Sequence, residues 1–239
     1  MAYEQYVDDF GARDFFASDA ALDLRMAFIR RTYLHLFGAI LAFMGLEAVI
    51  FSNETVLTGI LNLVSLNWWA VLIAYLVVSM VANRWASSGA SQGIQYLGLG
   101  LYVLIEAVIF VPLLTYAQFF GGPNVIPTAA MITLSIFGGL TAFVFLTKQD
   151  FSFLRGFLML CGFAAFGLVL VSAFIGLSLG SGFAIAMVAL MSGYILYDTS
   201  NVLHHYRTDQ HVAASLALFA SIATLFWYVL RLTTILGDD

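Results

Sequence analysis

Charged side chains are scarce in this sequence: Asp, Glu, Lys and Arg make up 10% of its 239 residues, while hydrophobic residues make up 62%. An ordinary soluble domain has about 25% charged and about 45–50% apolar residues. The mean hydropathy of +0.96 points the same way. Only 9 residues are basic and the net charge is −5, which leaves no basic surface for nucleic acid. The composition therefore predicts an integral membrane protein that does not bind nucleic acid.

Sulfur chemistry and enzyme motifs are also missing. A single cysteine, Cys161, excludes a disulfide within the chain. The sequence has no nucleophile elbow, phosphate-binding loop, dinucleotide fingerprint or H-E-x-x-H zinc motif. His204, His205 and His211 flank a polar loop, and their spacing favours solvated side chains over a metal site. We therefore expect a protein that is not an enzyme and has no resident cofactor.

Seven apolar runs are each about 20 residues long, enough to cross a hydrocarbon core of about 30 Å as a helix. This predicts an all-α integral membrane protein with one seven-helix domain over residues 32–236. An acidic tail, residues 1–31, precedes the domain, and a short tail, residues 237–239, follows it. Six spans with a re-entrant sixth or seventh run is the alternative. The predicted spans are 32–51, 63–83, 94–116, 125–146, 155–177, 182–203 and 211–236.

The basic residues predict the orientation in the membrane. All of the 9 except Arg231 fall in segments on one side of the predicted topology. Because Lys and Arg are enriched in cytoplasmic segments, the N-terminus is predicted in the cytoplasm and the C-terminus outside. We expect a multi-pass protein of the cell's inner (plasma) membrane. The residues on the predicted cytoplasmic side are Arg13, Arg25, Arg30, Arg31, Arg84, Lys148, Arg155 and Arg207.

Three acids fall inside the predicted spans, where a charge costs about 2.5–3.5 kcal/mol at mid-helix. Glu47 is near the outer end of span one, where an interfacial acid is expected. Glu106 is near the middle of span three, either as a proton or ion ligand or as a hydrogen-bond partner of a neighbouring helix. Asp198 is toward the cytoplasmic end of span six, either ending the helix or serving as a functional acid.

Four stretches together resemble the transmembrane Bax inhibitor motif family, also called the Bax inhibitor/YccA family. They are "RRTYLHLFGAIL" (30–41), "LTKQDFSFLRGFLM" (146–159), "ILYDTSNVLHHY" (195–206) and "AASLALFASIATLFWYVLRLTTIL" (213–236). The resemblance extends over essentially the whole chain from about residue 25, with the same seven-span plan. It is the joint match of the stretches, in order, that makes it specific.

The resemblance implies a fold whose last helix is surrounded by the other six. It also implies, for some bacterial members, a pH-sensitive calcium leak controlled by two aspartates. Asp198 matches the first aspartate, on helix six, while alignment on Phe226 places Ser221 at the position of the second. Two carboxylates in contact share a proton and switch near neutral pH. An acid paired with a hydroxyl lacks that coupling, so the two-acid sensor is not expected here.

The candidate ion or proton site therefore consists of Asp198, Ser221 and Glu106, with Arg84 as a possible charge partner and Ca²⁺ as the possible transported ion. With a serine at position 221, the sequence resembles the YccA-like bacterial branch of the family more closely. That likeness implies a second function, modulation of a membrane-bound ATP-dependent protease in membrane protein quality control. A stress-related protein without transport is the third. Convergence of Asp198, Ser221 and Glu106 on one cavity favours conduction; a closed hydrogen-bond cluster around Asp198 favours a binding or structural role.

Overall fold

The computed structural model describes residues 16–87 and 91–237. Within these residues the chain is almost wholly helical, with an isolated β-bridge between Phe16 and Arg207 and a short 3₁₀ turn at Ser152–Leu154. We number the α-helices α1 to α8 in chain order. They are α1 Leu22–Ser52, α2 Glu54–Leu66, α3 Trp68–Ala86, α4 Gln92–Phe120, α5 Val125–Thr147, α6 Arg155–Ile175, α7 Ser181–His204 and α8 His211–Gly237.

Seven of the helices described, all except α2, are long and apolar enough to cross a membrane. The predicted seven-helix fold is thus confirmed, while one predicted span starts at a different residue. The second span starts at Trp68 and not at residue 63, because the chain leaves the helical conformation at Asn67. The residues before it form α2, whose first turn is capped by the Asn53 side chain. In addition, α1 begins at Leu22, inside the segment predicted as a tail.

The C-terminal helix α8 lies at the centre of the bundle, as predicted. It packs against α1, α3, α4, α5 and α7, and most of its apolar length is buried. One buried contact shows how closely α1 approaches it: the Ser215 hydroxyl on α8 donates to the Thr32 carbonyl on α1 at 2.8 Å. By contrast, α6 packs mainly on α7, where the Tyr194 hydroxyl donates to the Leu158 carbonyl at 3.0 Å. Helix α6 therefore presents most of its surface to lipid.

A glycine sets the close approach of α3 to α4. A Cβ atom placed on Gly98 would lie 2.6 Å from the Ala82 carbonyl oxygen and 2.8 Å from the Ala86 nitrogen. Both atoms belong to the backbone of α3, which cannot move aside as a side chain can. Small residues let membrane helices pack closely where lipid removes the hydrophobic drive for association. The α3–α4 contact therefore depends on the absence of a side chain at Gly98.

The two ends of the bundle differ in charge. The α5–α6 and α7–α8 connections, with Lys148 and Arg207, lie at what we call the basic end. There the Ala17 amide donates to the Tyr206 carbonyl at 2.9 Å, which fixes the segment before α1 on the α7–α8 loop. At the opposite end, Arg231 donates to the Leu179 carbonyl and joins α8 to the α6–α7 connection. These contacts hold the connections to the bundle at both ends.

Candidate ion site at Asp198

Asp198 and Ser221 meet inside the bundle, on α7 and the central helix α8. The Ser221 hydroxyl donates to Asp198 Oδ2 at 2.6 Å, and the two residues are only 8% and 7% exposed. A hydrogen bond to a carboxylate is shorter and stronger than one between neutral groups, which fits this distance. The resemblance paired these two positions, and the structure brings them into contact.

A polar cavity of about 390 Å³ lies at the basic end, and neither Asp198 nor Ser221 is among its lining residues. Tyr197, Asn201 and Tyr206 line it, together with Arg155. Tyr206 is outside the spans, and burial first, then the negative charge of Asp198, raise the pKa of its phenol. Asp198 is therefore close enough to this wall of the cavity to act on it electrostatically. Tyr206 could not be identified as a cavity residue from the sequence, because a tyrosine at the end of an apolar run is common in membrane helices.

The α5–α6 connection is fastened to α7 next to the same cavity. Ser200, two residues after Asp198, accepts a hydrogen bond from the Phe151 amide at 2.8 Å. Asp150 lies 3.0 Å from His205 Nε2 and accepts from the Ser152 amide at 2.9 Å. Burial alone would raise the pKa of the Asp150 carboxyl, but these hydrogen bonds outweigh it and lower the pKa. His205 therefore has an acid partner, and its side chain is 48% exposed, in line with the solvated side chain that the sequence favoured.

Glu106 does not join the Asp198 pair. Glu106 is on α4, at the contact with α3, and is 3% exposed. It accepts a hydrogen bond from the Tyr75 hydroxyl of α3 at 2.9 Å, and the Tyr102 phenol lies beside it. Of the two interpretations that the sequence left open, this contact matches the bond to a neighbouring helix. The three proposed site residues therefore do not converge on one cavity among those found in the described part of the chain.

Arg84 also lies apart from the acid. Its side chain is exposed near the end of α3, and no ion pair found between described residues joins it to Asp198. The possible charge partner is therefore not in place in this conformation. The physical reason is packing: α3 contacts mainly α4, while Asp198 is enclosed between α7 and α8.

Glu47 is buried, contrary to the interfacial position expected from the sequence. It is 9% exposed, and among the residues that the structure describes neither of its carboxylate oxygens has a hydrogen-bond partner. Glu47 lines an apolar cavity that is separate from the polar cavity of the basic end. Leu114 of α4 and Ile126 of α5 line this apolar cavity too and cover this part of α1. The distance of Glu47 from the end of its helix therefore did not predict its exposure, because the side chain points toward neighbouring helices.

A cluster of aromatic and imidazole rings at the basic end was not anticipated from the sequence. The His35 ring stacks on Tyr96 with centroids 5.3 Å apart and lies 5.0 Å from the His211 ring. The Tyr96 hydroxyl is 3.4 Å from His211 Nε2. The cluster joins α1, α4 and α8, helices far apart in the chain, so no local pattern could have revealed it.

No group of three or more His, Cys, Asp or Glu side chains suited to a metal ion occurs within residues 16–87 and 91–237. Asp198 and Ser221 supply one carboxylate and one hydroxyl, whereas Ca²⁺ takes six to eight oxygen ligands. The pair alone therefore supplies too few ligands to hold a calcium ion.

Comparison with known proteins agrees with this architecture. Residues 25–238 match the family described as "Inhibitor of apoptosis-promoting Bax1". The chain is 29% identical over 225 residues to Bax inhibitor 1 of Schizosaccharomyces pombe, covering 93% of this chain and 81% of that protein. It is 30% identical over 217 residues to an uncharacterized protein of Pseudomonas aeruginosa, covering 88% and 90%. With Protein LIFEGUARD 4 of Arabidopsis thaliana it is 28% identical over 220 residues, covering 88% and 85%.

Fold and site together define a multi-pass helical membrane protein with a buried acid held against its central, C-terminal helix. The sequence match covers the bundle from the start of α1 to the end of α8. The chain belongs to the Bax inhibitor family, as the resemblance predicted.

Proposed function

We propose that the protein is a pH-sensitive leak for cations, Ca²⁺ and protons, with Asp198 as its central acid. The observation that carries the proposal is the burial of an acid inside the membrane bundle: Asp198 is 8% exposed and lies 2.6 Å from Ser221 of the central helix α8. An acid buried in a membrane bundle is costly and calls for a functional explanation.

The proposed gating follows from the chemistry of the pair. Ionised Asp198 accepts the Ser221 hydrogen bond and attracts a cation; protonated Asp198 does neither as well. A cation passing the acid therefore requires the ionised form, so flux falls as the solution becomes more acidic. A serine cannot share a proton with Asp198 as a second carboxylate would, so a single titrating group controls the response.

The experiment is Ca²⁺ flux through the full-length protein in proteoliposomes, between about pH 6 and about pH 8. We expect flux that falls with acidity, and loss of that dependence in Asp198→Asn. Glu54→Gln, at the exposed start of α2, is the matched control and should behave like the unmodified protein. Equal flux and equal pH dependence in the unmodified protein and Asp198→Asn would refute the gating role.

A second proposal is an interaction protein that modulates a membrane-bound ATP-dependent protease. Two observations support it: Asp198 is in a closed contact with Ser221, and Glu106 lies apart from both. Such a closed contact, without convergence of the three residues on one cavity, favours a binding or structural role. In this proposal the acidic tail, residues 1–31, is the segment that a protease engages, and its residues 1–15 lie outside the described part. Neither proposal involves a catalysed reaction.

The interaction proposal is tested by crosslinking the protein in its native membrane and identifying its partners. We expect a membrane protease among them, and altered turnover of that protease's substrates when the protein is deleted. Crosslinked samples without a protease, combined with normal substrate turnover after deletion, would refute this proposal. The flux measurement does not depend on either result, so the two proposals can fail separately.

For both proposals we infer an inner-membrane location with the basic end in the cytoplasm. Lys148, Arg155 and Arg207 at that end support the inference, because basic residues are enriched on the cytoplasmic side. Arg231, in contrast, reaches the α6–α7 connection at the opposite end. The polar cavity lined by Arg155 and Tyr206 then faces the cytoplasm.

A further inference from the structure

A second cavity, of about 280 Å³, lies between α1 and α5 and is closed at the back by α8 and α4. Its walls are almost entirely apolar, with Phe43 of α1 and Phe219 and Phe226 of α8 among them. The nearby α8 residues Ile222 and Phe226 are on other faces of the helix from Ser221, given 3.6 residues per turn. The cavity is therefore distinct from the site at Asp198.

The cavity is open toward the lipid. Met44 on α1 and Leu134 on α5 line it and are 59% and 53% exposed, on helices that cross the membrane. In a membrane, exposed apolar side chains at mid-span face acyl chains. Small-molecule pockets begin at about 300 Å³, so the space suits one alkyl chain and not a two-chain lipid. An occupant would enter sideways from the bilayer.

Glu47 lines this cavity and is the acid in it. The side chain also lines a larger cavity of about 680 Å³ that continues to the opposite end of the bundle, past Gln118 and Pro123. No Lys or Arg of the described chain lines either cavity. Glu47 is nine-tenths buried, and within the described residues both of its carboxylate oxygens lack a hydrogen-bond partner. A buried, unsatisfied carboxylate is costly unless a ligand supplies donors.

We propose that this cavity binds a single-chain amphiphile carrying a primary ammonium group, with its alkyl chain among the phenylalanines and its ammonium on Glu47. A primary ammonium has three N–H donors and can satisfy both orphan oxygens, whereas a quaternary ammonium has none. The apolar wall favours an alkyl chain, and the Glu47 carboxylate favours a positively charged headgroup. A fatty acid is excluded by repulsion from Glu47, and a fatty alcohol lacks the charge-assisted bond.

The test uses the full-length protein in nanodiscs of phosphatidylcholine, which has no primary amine. A long-chain alkylamine with a photoreactive group in its chain is the probe, and dodecylamine, dodecanol and dodecanoic acid are competitors. We expect labelling of α1 or α5 peptides around the cavity. Dodecylamine should compete at about tenfold lower concentration than dodecanol, or better, and dodecanoic acid should compete least.

Two variants separate charge from shape. Glu47→Gln should abolish the preference for amine over alcohol while leaving competition by the alcohol. Ala130→Phe, which fills the α5 wall, should weaken both. Glu54→Gln, exposed on α2, should keep the preference of the unmodified protein. Thermal unfolding of each variant checks that it is folded, and the Glu47→Gln comparison stands alone if Ala130→Phe does not fold. An unmodified protein that shows no amine preference, or Glu47→Gln that keeps it, overturns the proposal.

Discussion

At the scale of the residue, the Asp198–Ser221 contact is a buried hydrogen bond that joins the last two helices. Ser221 donates a hydrogen bond to an acid that is almost fully buried. Removing a donor from a buried carboxylate leaves the charge under-solvated. The serine therefore has a stabilising role whether or not the protein conducts ions.

We predict that Ser221→Ala lowers the free energy of unfolding by about 1–2 kcal/mol, since hydrogen bonds to charged groups are strong but membrane values run lower. Unfolding by SDS in mixed micelles measures it. Ser135→Ala is the control, because this exposed serine bonds only to the Met131 carbonyl in its own helix. Equal effects of the two substitutions would contradict a special role for Ser221.

At the scale of the element, the α3–α4 packing is crowded at Gly98. Gly98→Ala places a methyl group against the α3 backbone, so the helices must separate. Overpacking of this kind costs about 1–3 kcal/mol, and we predict a loss of stability of that size. Gly100→Ala is the matched control on the same helix, because a Cβ there meets no atom within 4 Å. Thermal unfolding of both variants measures the difference, and equal midpoints would refute it.

The α5–α6 connection provides a pH-dependent contact with α7. The hydrogen bonds around Asp150 lower its folded-state pKa, so their stabilisation is present above the ordinary pKa of about 4 and is lost as the pH falls through the lower folded value. We predict that Asp150→Asn is less stable than the unmodified protein near neutral pH and that the difference shrinks in acid. Because Asp150 is exposed, the effect is small.

Thermal unfolding at a series of pH values measures the Asp150 effect. The double variant Asp150→Asn, His205→Gln checks the partner, since the two side chains lie 3.0 Å apart. If the contact carries the effect, His205→Gln changes stability less in the Asp150→Asn background than in the unmodified protein. A stability difference that does not vary with pH would count against the assignment.

At the scale of the whole molecule, the charge asymmetry between the ends predicts the topology. A C-terminal alkaline phosphatase fusion, active only outside the cytoplasm, should be active, because seven spans separate the two ends of the chain. A fusion in the α5–α6 connection, at Lys148, should be inactive. The reverse pattern would invert the orientation, and activity at neither position would indicate an even number of spans between the N-terminus and the C-terminus.

The fold was largely predictable from the sequence because its signals are local. Apolar runs of sufficient length specify spanning helices, since each backbone must satisfy its own hydrogen bonds in lipid. The boundary near Asn67 was the main error, because α2 is as apolar as the span that follows and only the backbone turn separates them. The pairing of Asp198 with Ser221 came from family resemblance and is met in the structure.

By itself, then, the sequence determined the membrane class and the seven spans, because composition and run length fix these without reference to packing, while the family resemblance singled out Asp198. Only the tertiary structure decided which buried polar groups meet. It gave Glu106 a partner in Tyr75, kept Arg84 from Asp198 and enclosed Glu47 without a donor among the described residues. The physical reason is that an acid's surroundings depend on which helix face meets which neighbour, and every face of a membrane helix is apolar enough to leave that choice open.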